Sequence, residues 1–153
     1  MTLKDKLLSY YGLEEVPGVE ANPIILGFFK NIGQEWVQSD ETAWCSAFMN
    51  SCAKDLDLPY SGKLDARSWL EVGTPFLPNL TDLLYTFPDN SILVHWRVSR
   101  GDWRGHVSVP IRAELNKNRI WVLGGNQGNM VNISAYPIKG KCFTSGVLKY
   151  IQL

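Results

Sequence analysis

Cys45, His106 and Asn126 are the residues of this chain whose types and settings suit covalent chemistry. Cys45 stands in Glu41-Thr-Ala-Trp-Cys45-Ser-Ala-Phe, at the first turn of a predicted helix and just behind acidic and capping residues. A helix N-terminus carries partial positive charge and unpaired N–H groups, and both stabilise a thiolate over a thiol. His106 starts a predicted strand after Gly105 and is the candidate base. Asn126 sits in Gly124-Gly125-Asn126-Gln127-Gly128, a turn just after the next strand. A cysteine nucleophile needs a base to take its proton, and the base needs a third group to fix its ring and tautomer. Neighbouring antiparallel strands would set His106 and Asn126 side by side above Cys45. The expected resting state is a thiolate–imidazolium pair with a depressed thiol pKa.

Each of these residues also has a purely structural reading. Cysteine is among the most buried residue types, and Cys52, in the middle of an apolar stripe, reads as packing. Cys142 lies in a loop with no evident role. His95 is the rival base, but its strand is continuously apolar and no glycine flanks it. The glycines around Asn126 and Gln127 also fit plain hairpin-turn chemistry. Glu14, Glu15, Glu20 and Glu41 offer carboxylates for a glycosidase-type pair, yet no spacing singles out two of them. Glu41, four residues before Cys45, borders the site. Trp44, Trp69 and Trp103 are candidates for lining a groove and equally for packing.

The elements that must hold these groups follow from the pattern. Thr2 caps a first helix with Leu3, Leu7, Leu8 and Tyr11 on one side. Asn22-Pro23 starts a second helix, with Ile24, Ile25, Phe28, Phe29 and Ile32 as its stripe and Gly33 as its stop. A third runs from about Ala43 to Leu56, and Cys45 begins its buried stripe. A short helix covers Asp65 to Val72. The period then changes. Five short strands are expected at Ile92–Val98, His106–Ile111, Arg119–Leu123, Met130–Ser134 and Gly146–Ile151, and loops at Thr74–Asn90 and Ser99–Gly105. Helices first and strands after predict an α+β fold, with N-terminal helices packed on an antiparallel sheet of about five strands. Pro110 cannot donate to a sheet ladder, so its strand should be short, bulged or at an edge.

At 153 residues the chain fits one domain spanning 1–153. Fifteen basic residues balance fifteen acidic ones, and no basic stripe supports nucleic-acid binding. No run of about 18 apolar residues predicts membrane insertion. The N-terminus does not read as a secretory signal, so synthesis in the cytoplasm is expected. Cys45 and Cys52 are too far apart along one helix for a disulfide. With no Cys-x-x-Cys and two distant histidines, neither a metal nor another cofactor is expected.

Several blocks, in order, resemble one superfamily. They are Asp40-Glu-Thr-Ala-Trp-Cys45-Ser-Ala-Phe-Met-Asn50, Ala66-Arg-Ser-Trp-Leu70, Gly105-His106-Val107, Leu123-Gly-Gly-Asn126-Gln-Gly-Asn129 and Val131-Asn-Ile-Ser-Ala-Tyr-Pro137. The chain is similar, from about Leu8 to Tyr150, to small bacterial and phage proteins of the CHAP (cysteine, histidine-dependent amidohydrolase/peptidase) and NlpC-type superfamily. The resemblance implies a papain-like fold and cleavage of an amide bond in peptidoglycan, in the stem peptide or at the lactyl-L-alanine link. Carried over, Cys45 is the nucleophile, His106 the base and Asn126 the orienting group, with Glu41, Gln127 and Trp44 in support. Two departures stand out. Asp89-Asn-Ser-Ile-Leu-Val-His-Trp-Arg97 replaces a Gly-Asp-x-Val-Val-Phe strand, and Ser108-Val-Pro110 follows the histidine. They motivate an alternative, a catalytically inactive wall-binding or phage structural module of the same fold. The expected partner is peptidoglycan, reached after release or delivery by another system. The implied roles are a phage lysin, a virion component or a toxin, the last with delivery machinery and an immunity protein.

Overall fold

A computed structural model of the chain describes residues 1–18, 20–40, 43–140 and 145–153. Glu41 and Cys142 therefore lie outside the described residues. Three helices come first: α1 (Leu3–Leu8), α2 (Pro23–Asn31) and α3 (Cys45–Asp55). Thr2 caps α1 in a reciprocal capping box with Asp5. Asn22 caps α2, its side chain accepting the Ile24 N–H at 2.9 Å, with Pro23 in the first turn. A 3-10 turn covers Ala66–Glu71.

Six strands follow, β1 (Thr74–Phe76), β2 (Ser91–Arg97), β3 (Gly105–Glu114), β4 (Arg119–Gly124), β5 (Asn132–Pro137) and β6 (Ser145–Gln152). They form one antiparallel sheet in the order β1-β6-β2-β3-β4-β5. The α+β class thus holds, with six strands in place of about five. The extra strand, β1, falls where a loop is expected. It is three residues long and contains Pro75, which an edge position tolerates.

Alternation along the strands divides the core in two. Ile92, Val94, Val107, Val109, Leu123 and Ile151 face the helices and pack with Leu7, Ile25, Phe29 and Phe48. Leu93, Ile120, Val122 and Tyr150 face the other way, under Phe76, Leu80, Phe87 and Tyr136. His95 and His106 are cross-strand partners in the middle of the sheet, two rungs from Leu93 and Ser108 on that second face.

Pro110 lies in an interior strand, because β3 runs between β2 and β4. Register with β2 stops at Ser108, and a bulge against β4 falls between Pro110 and Arg112. The missing N–H is absorbed by that irregularity. Among the described residues no helix is long and apolar enough to cross a membrane.

Asp40 ties the segment before α3 to the body. Its buried Oδ2 accepts the N–H groups of Val16 at 2.9 Å and Asn22 at 2.6 Å. Charge-assisted bonds of this kind are the strong ones. Asp40→Ala is expected to lower the unfolding free energy by about 3 kcal/mol, read from the urea midpoint. A change within 0.5 kcal/mol, the usual range for a surface substitution, would contradict the assignment.

Candidate active site

Cys45 is the first residue of α3 and is 7% exposed. No side chain caps this helix. Its first intrahelical bond runs from the Phe48 N–H to the Trp44 carbonyl at 2.9 Å, which leaves the earlier N–H groups free of the helix ladder. The N–H groups of Cys45 and Ser46 point toward the thiol, and so does the backbone N–H of Val107. The sulfur is therefore seated against β3, at the residue following His106.

The position of α3 is fixed from several sides. The Ser46 hydroxyl donates to the Lys63 carbonyl at 2.7 Å and accepts from the Trp69 indole at 3.0 Å. The buried Asn50 amide donates to the Ser46 and Lys63 carbonyls, each at 2.9 Å, and accepts the Gly62 N–H at 2.8 Å. Trp44 and Phe48 press on Gly125, where a Cβ would lie 2.5 Å from the Trp44 ring. Glycine is needed there for close approach of helix and turn, not for backbone freedom. Trp44 and Trp69 are fully buried, and the Trp44 indole donates to Glu15 at 2.8 Å. Of the three tryptophans weighed for a groove, these two are core, and Trp103 is 72% exposed.

The group that holds His106 is Gln127, and this corrects the expectation for Asn126. The His106 Nε2 lies 2.8 Å from the Gln127 Oε1, while no hydrogen bond joins Asn126 to the ring. Asn126 instead takes a left-handed backbone conformation, φ 55°, which asparagine tolerates better than most residues. That turn lets the next side chain swing inward. Gln127 is 1% exposed, and its Nε2 donates to the Asn132 carbonyl at 2.8 Å, the Asn132 Oδ1 at 3.0 Å and the Val122 carbonyl at 3.3 Å. Asn132 reciprocates through its own amide, 2.9 Å to the Gln127 carbonyl.

This network assigns the tautomer. Acceptors surround the Gln127 NH₂, so its oxygen faces the histidine. His106 must then carry its proton on Nε2, which leaves Nδ1 with a bare lone pair. Nδ1 is buried and makes no hydrogen bond among the described residues. The Cys45 thiol is not hydrogen-bonded to it either. Such contacts are often long in a free site and tighten around substrate.

Tyr136 of β5 packs over both imidazoles. Its ring centroid is 5.2 Å from that of His106, at 24° between planes, and 5.2 Å from that of His95, at 41°. His95 is fully buried with no hydrogen bond at either nitrogen. The Pro137 carbonyl lies close enough to favour its charged form, but without hydrogen-bond geometry.

No family model matches this chain, and no curated protein or solved structure matches it either. The site's chemistry therefore rests on its own geometry.

That geometry corrects the expected ion pair. Burial pushes the Cys45 thiol above its ordinary pKa, against the N–H groups of Val107 and Ser46 and the charge of Arg97, which pull it down. Burial, and then the charge of Arg97, hold His106 down to about 3, against the favourable bond to Gln127. Desolvation outweighs the helix terminus because the sulfur is nearly sealed. Burial thus favours a thiol and a neutral imidazole over the expected ion pair. Among the described residues no three His, Cys, Asp or Glu side chains converge as metal ligands. A cavity of about 690 Å³, lined by Leu80, Tyr85, Phe87, Arg112 and Glu114 among others, contains none of the site residues.

Sequence reading singled out neither Tyr136 nor Arg97 as site residues. The available signal was register. Tyr136 shares the inward face of β5 with Asn132 and Ser134, and Arg97 lies two residues beyond His95 on the same strand face.

Two buried neutral histidines make stability depend on pH. Both His95 and His106 are held down to about 3, from 6.5 in the unfolded chain. Between those values the unfolded chain binds more protons, so stability is full above about pH 6.5 and falls as pH drops toward 3. Each histidine contributes a slope of about 1.4 kcal/mol per pH unit. Urea unfolding from pH 7 to 4.5, followed by tryptophan fluorescence, should show this decline, with roughly half of it removed by His95→Phe. A flat profile would contradict the burial of neutral rings.

Proposed function

We propose that the chain is a cysteine amidase or peptidase acting on peptidoglycan, with Cys45 as nucleophile, His106 as base and Gln127 as the group that orients the base. The observation that carries the reading is the Nε2–H tautomer of His106, fixed by Gln127, with Nδ1 left open on the strand that seats the Cys45 thiol. This is the order of groups that the cysteine-peptidase mechanism needs. The resemblance to CHAP and NlpC-type proteins supports a papain-like arrangement and names the substrate, an amide of the wall stem peptide or the lactyl-L-alanine link.

The proton moves during attack and not before it. As the sulfur approaches a carbonyl carbon, His106 Nδ1 takes the thiol proton, and a C–S bond forms as the carbonyl becomes an oxyanion. The free N–H groups at the start of α3 would stabilise that oxyanion. His106 then protonates the leaving amine as the C–N bond breaks. Water, activated by the same Nδ1, hydrolyses the thioester and restores the thiol.

A second reading, an inactive wall-binding module, is favoured by one observation: Cys45 is only 7% exposed. Purified peptidoglycan separates the two. Wild-type protein should release new amines without new reducing ends, and Cys45→Ala or His106→Ala should cut the rate by on the order of 10³-fold or more with folding intact. Binding to sacculi without amine release would favour the inactive module. New reducing ends would indicate cleavage of the glycan strand.

A further inference from the structure

The loop between β1 and β2 divides its apolar residues between the protein and the solvent. Its aromatics turn inward. Tyr85 meets Phe87 edge-on, with ring centroids 5.2 Å apart, and Phe87 stacks on Tyr150 of β6 at 6.1 Å. Its leucines go the other way: Leu77, Leu83 and Leu84 are 96%, 99% and 88% exposed. Leu115, in the turn between β3 and β4, is 44% exposed. Exposed apolar groups gathered in one place mark an interaction surface. Leu80 borders two cavities here, the one of about 690 Å³ that Leu83 and Leu115 also line and another of about 500 Å³ that Leu77 also lines. Neither contains a residue of the candidate active site.

The same end of the sheet carries an excess of positive charge. Arg112, Lys117 and Arg119 share one carboxylate, Glu114, at 3.5, 3.5 and 3.2 Å. Lys139 is held beside them, because Asn118 donates to its carbonyl and accepts its N–H, each at 2.8 Å. Asp82, on the leucine loop, is engaged in its own turn, accepting the Leu84 N–H at 2.9 Å. These cations are scattered along the sequence and form no stripe there. They meet because β4 runs between β3 and β5.

We propose that this end of the sheet docks on the surface of a bilayer containing anionic lipids. The leucines enter the interface, and the cations beside them lie at the level of the phosphates. Such docking needs no spanning helix. A second copy of the chain fits less well, since a two-fold contact would set the same cations face to face. A protein partner is also less suited. Tyr and Trp dominate such contacts and Leu is under-represented, whereas here the aromatics are turned inward and the leucines protrude. The proposal stands apart from the cysteine chemistry and goes beyond it.

Co-sedimentation of the full chain with phosphatidylcholine vesicles, made with and without phosphatidylglycerol, measures the partition. The wild type should bind the phosphatidylglycerol vesicles about tenfold or more tightly, and raised salt should weaken that binding. Leu83→Glu combined with Leu84→Glu should remove it, while the two methionine substitutions at these positions should keep it. Lys117→Gln and Lys139→Gln should each lower the partition about fivefold. All four positions lie in solvent, so circular dichroism and the urea midpoint should not change. No binding to either vesicle, equal binding to both, or binding that survives the glutamate pair would overturn the proposal. So would a dimer in sedimentation velocity that the glutamate pair dissolves, in a chain that ignores vesicles. That result would assign the leucines to a protein contact.

Discussion

The hydrogen bond between Gln127 Oε1 and His106 Nε2 is the constraint on which the site depends. It is directional because the other end of the Gln127 amide is saturated by Asn132 and Val122. A glutamine free to flip would leave the imidazole with either tautomer. Here β4, β5 and the turn between them hold the amide, and the amide holds the ring. Only Nδ1 of His106 is left with an open lone pair.

The second requirement is that α3 meet the sheet at this same place. Ser46, Asn50 and Trp69 anchor the helix from behind, and the bare backbone of Gly125 lets Trp44 and Phe48 approach the turn. The close fit has an electrostatic cost. A sulfur sealed in this way loses more from desolvation than it gains from the helix N-terminus. Burial thus favours the thiol form of Cys45 and the neutral form of His106. In the proposed reaction, proton transfer is deferred to the moment of attack, and the oxyanion would meet the free N–H groups at the start of α3.

Much of this was legible in the sequence, for identifiable reasons. Capping residues and periodicity located α1, α2 and α3 closely, and strand composition located β2 to β6. Strand β1 was hidden because three residues containing a proline carry no alternation; only pairing with β6 makes them a strand. Cys45 and His106 stood out because each opens an element. The resemblance pointed to Asn126 with Gln127 in support, and backbone geometry brings Gln127 to the ring instead: Asn126 makes the turn, and the turn delivers Gln127. Arg97 and Tyr136 were not singled out because strand register, which a single sequence shows only weakly, brings them to the histidines. The expected ion pair erred for a related reason, since the helix terminus is visible in sequence and the depth of burial is not.

The central claim is the protonation state of one ring. Nitrogen-15 NMR of the imidazoles, recorded from pH 5 to 8, reads it directly. The account predicts that His106 stays neutral throughout, with its proton on Nε2 and a bare Nδ1, and that Gln127→Ala scrambles the tautomer. An imidazolium at neutral pH, or a proton resident on Nδ1 in the wild type, would contradict it.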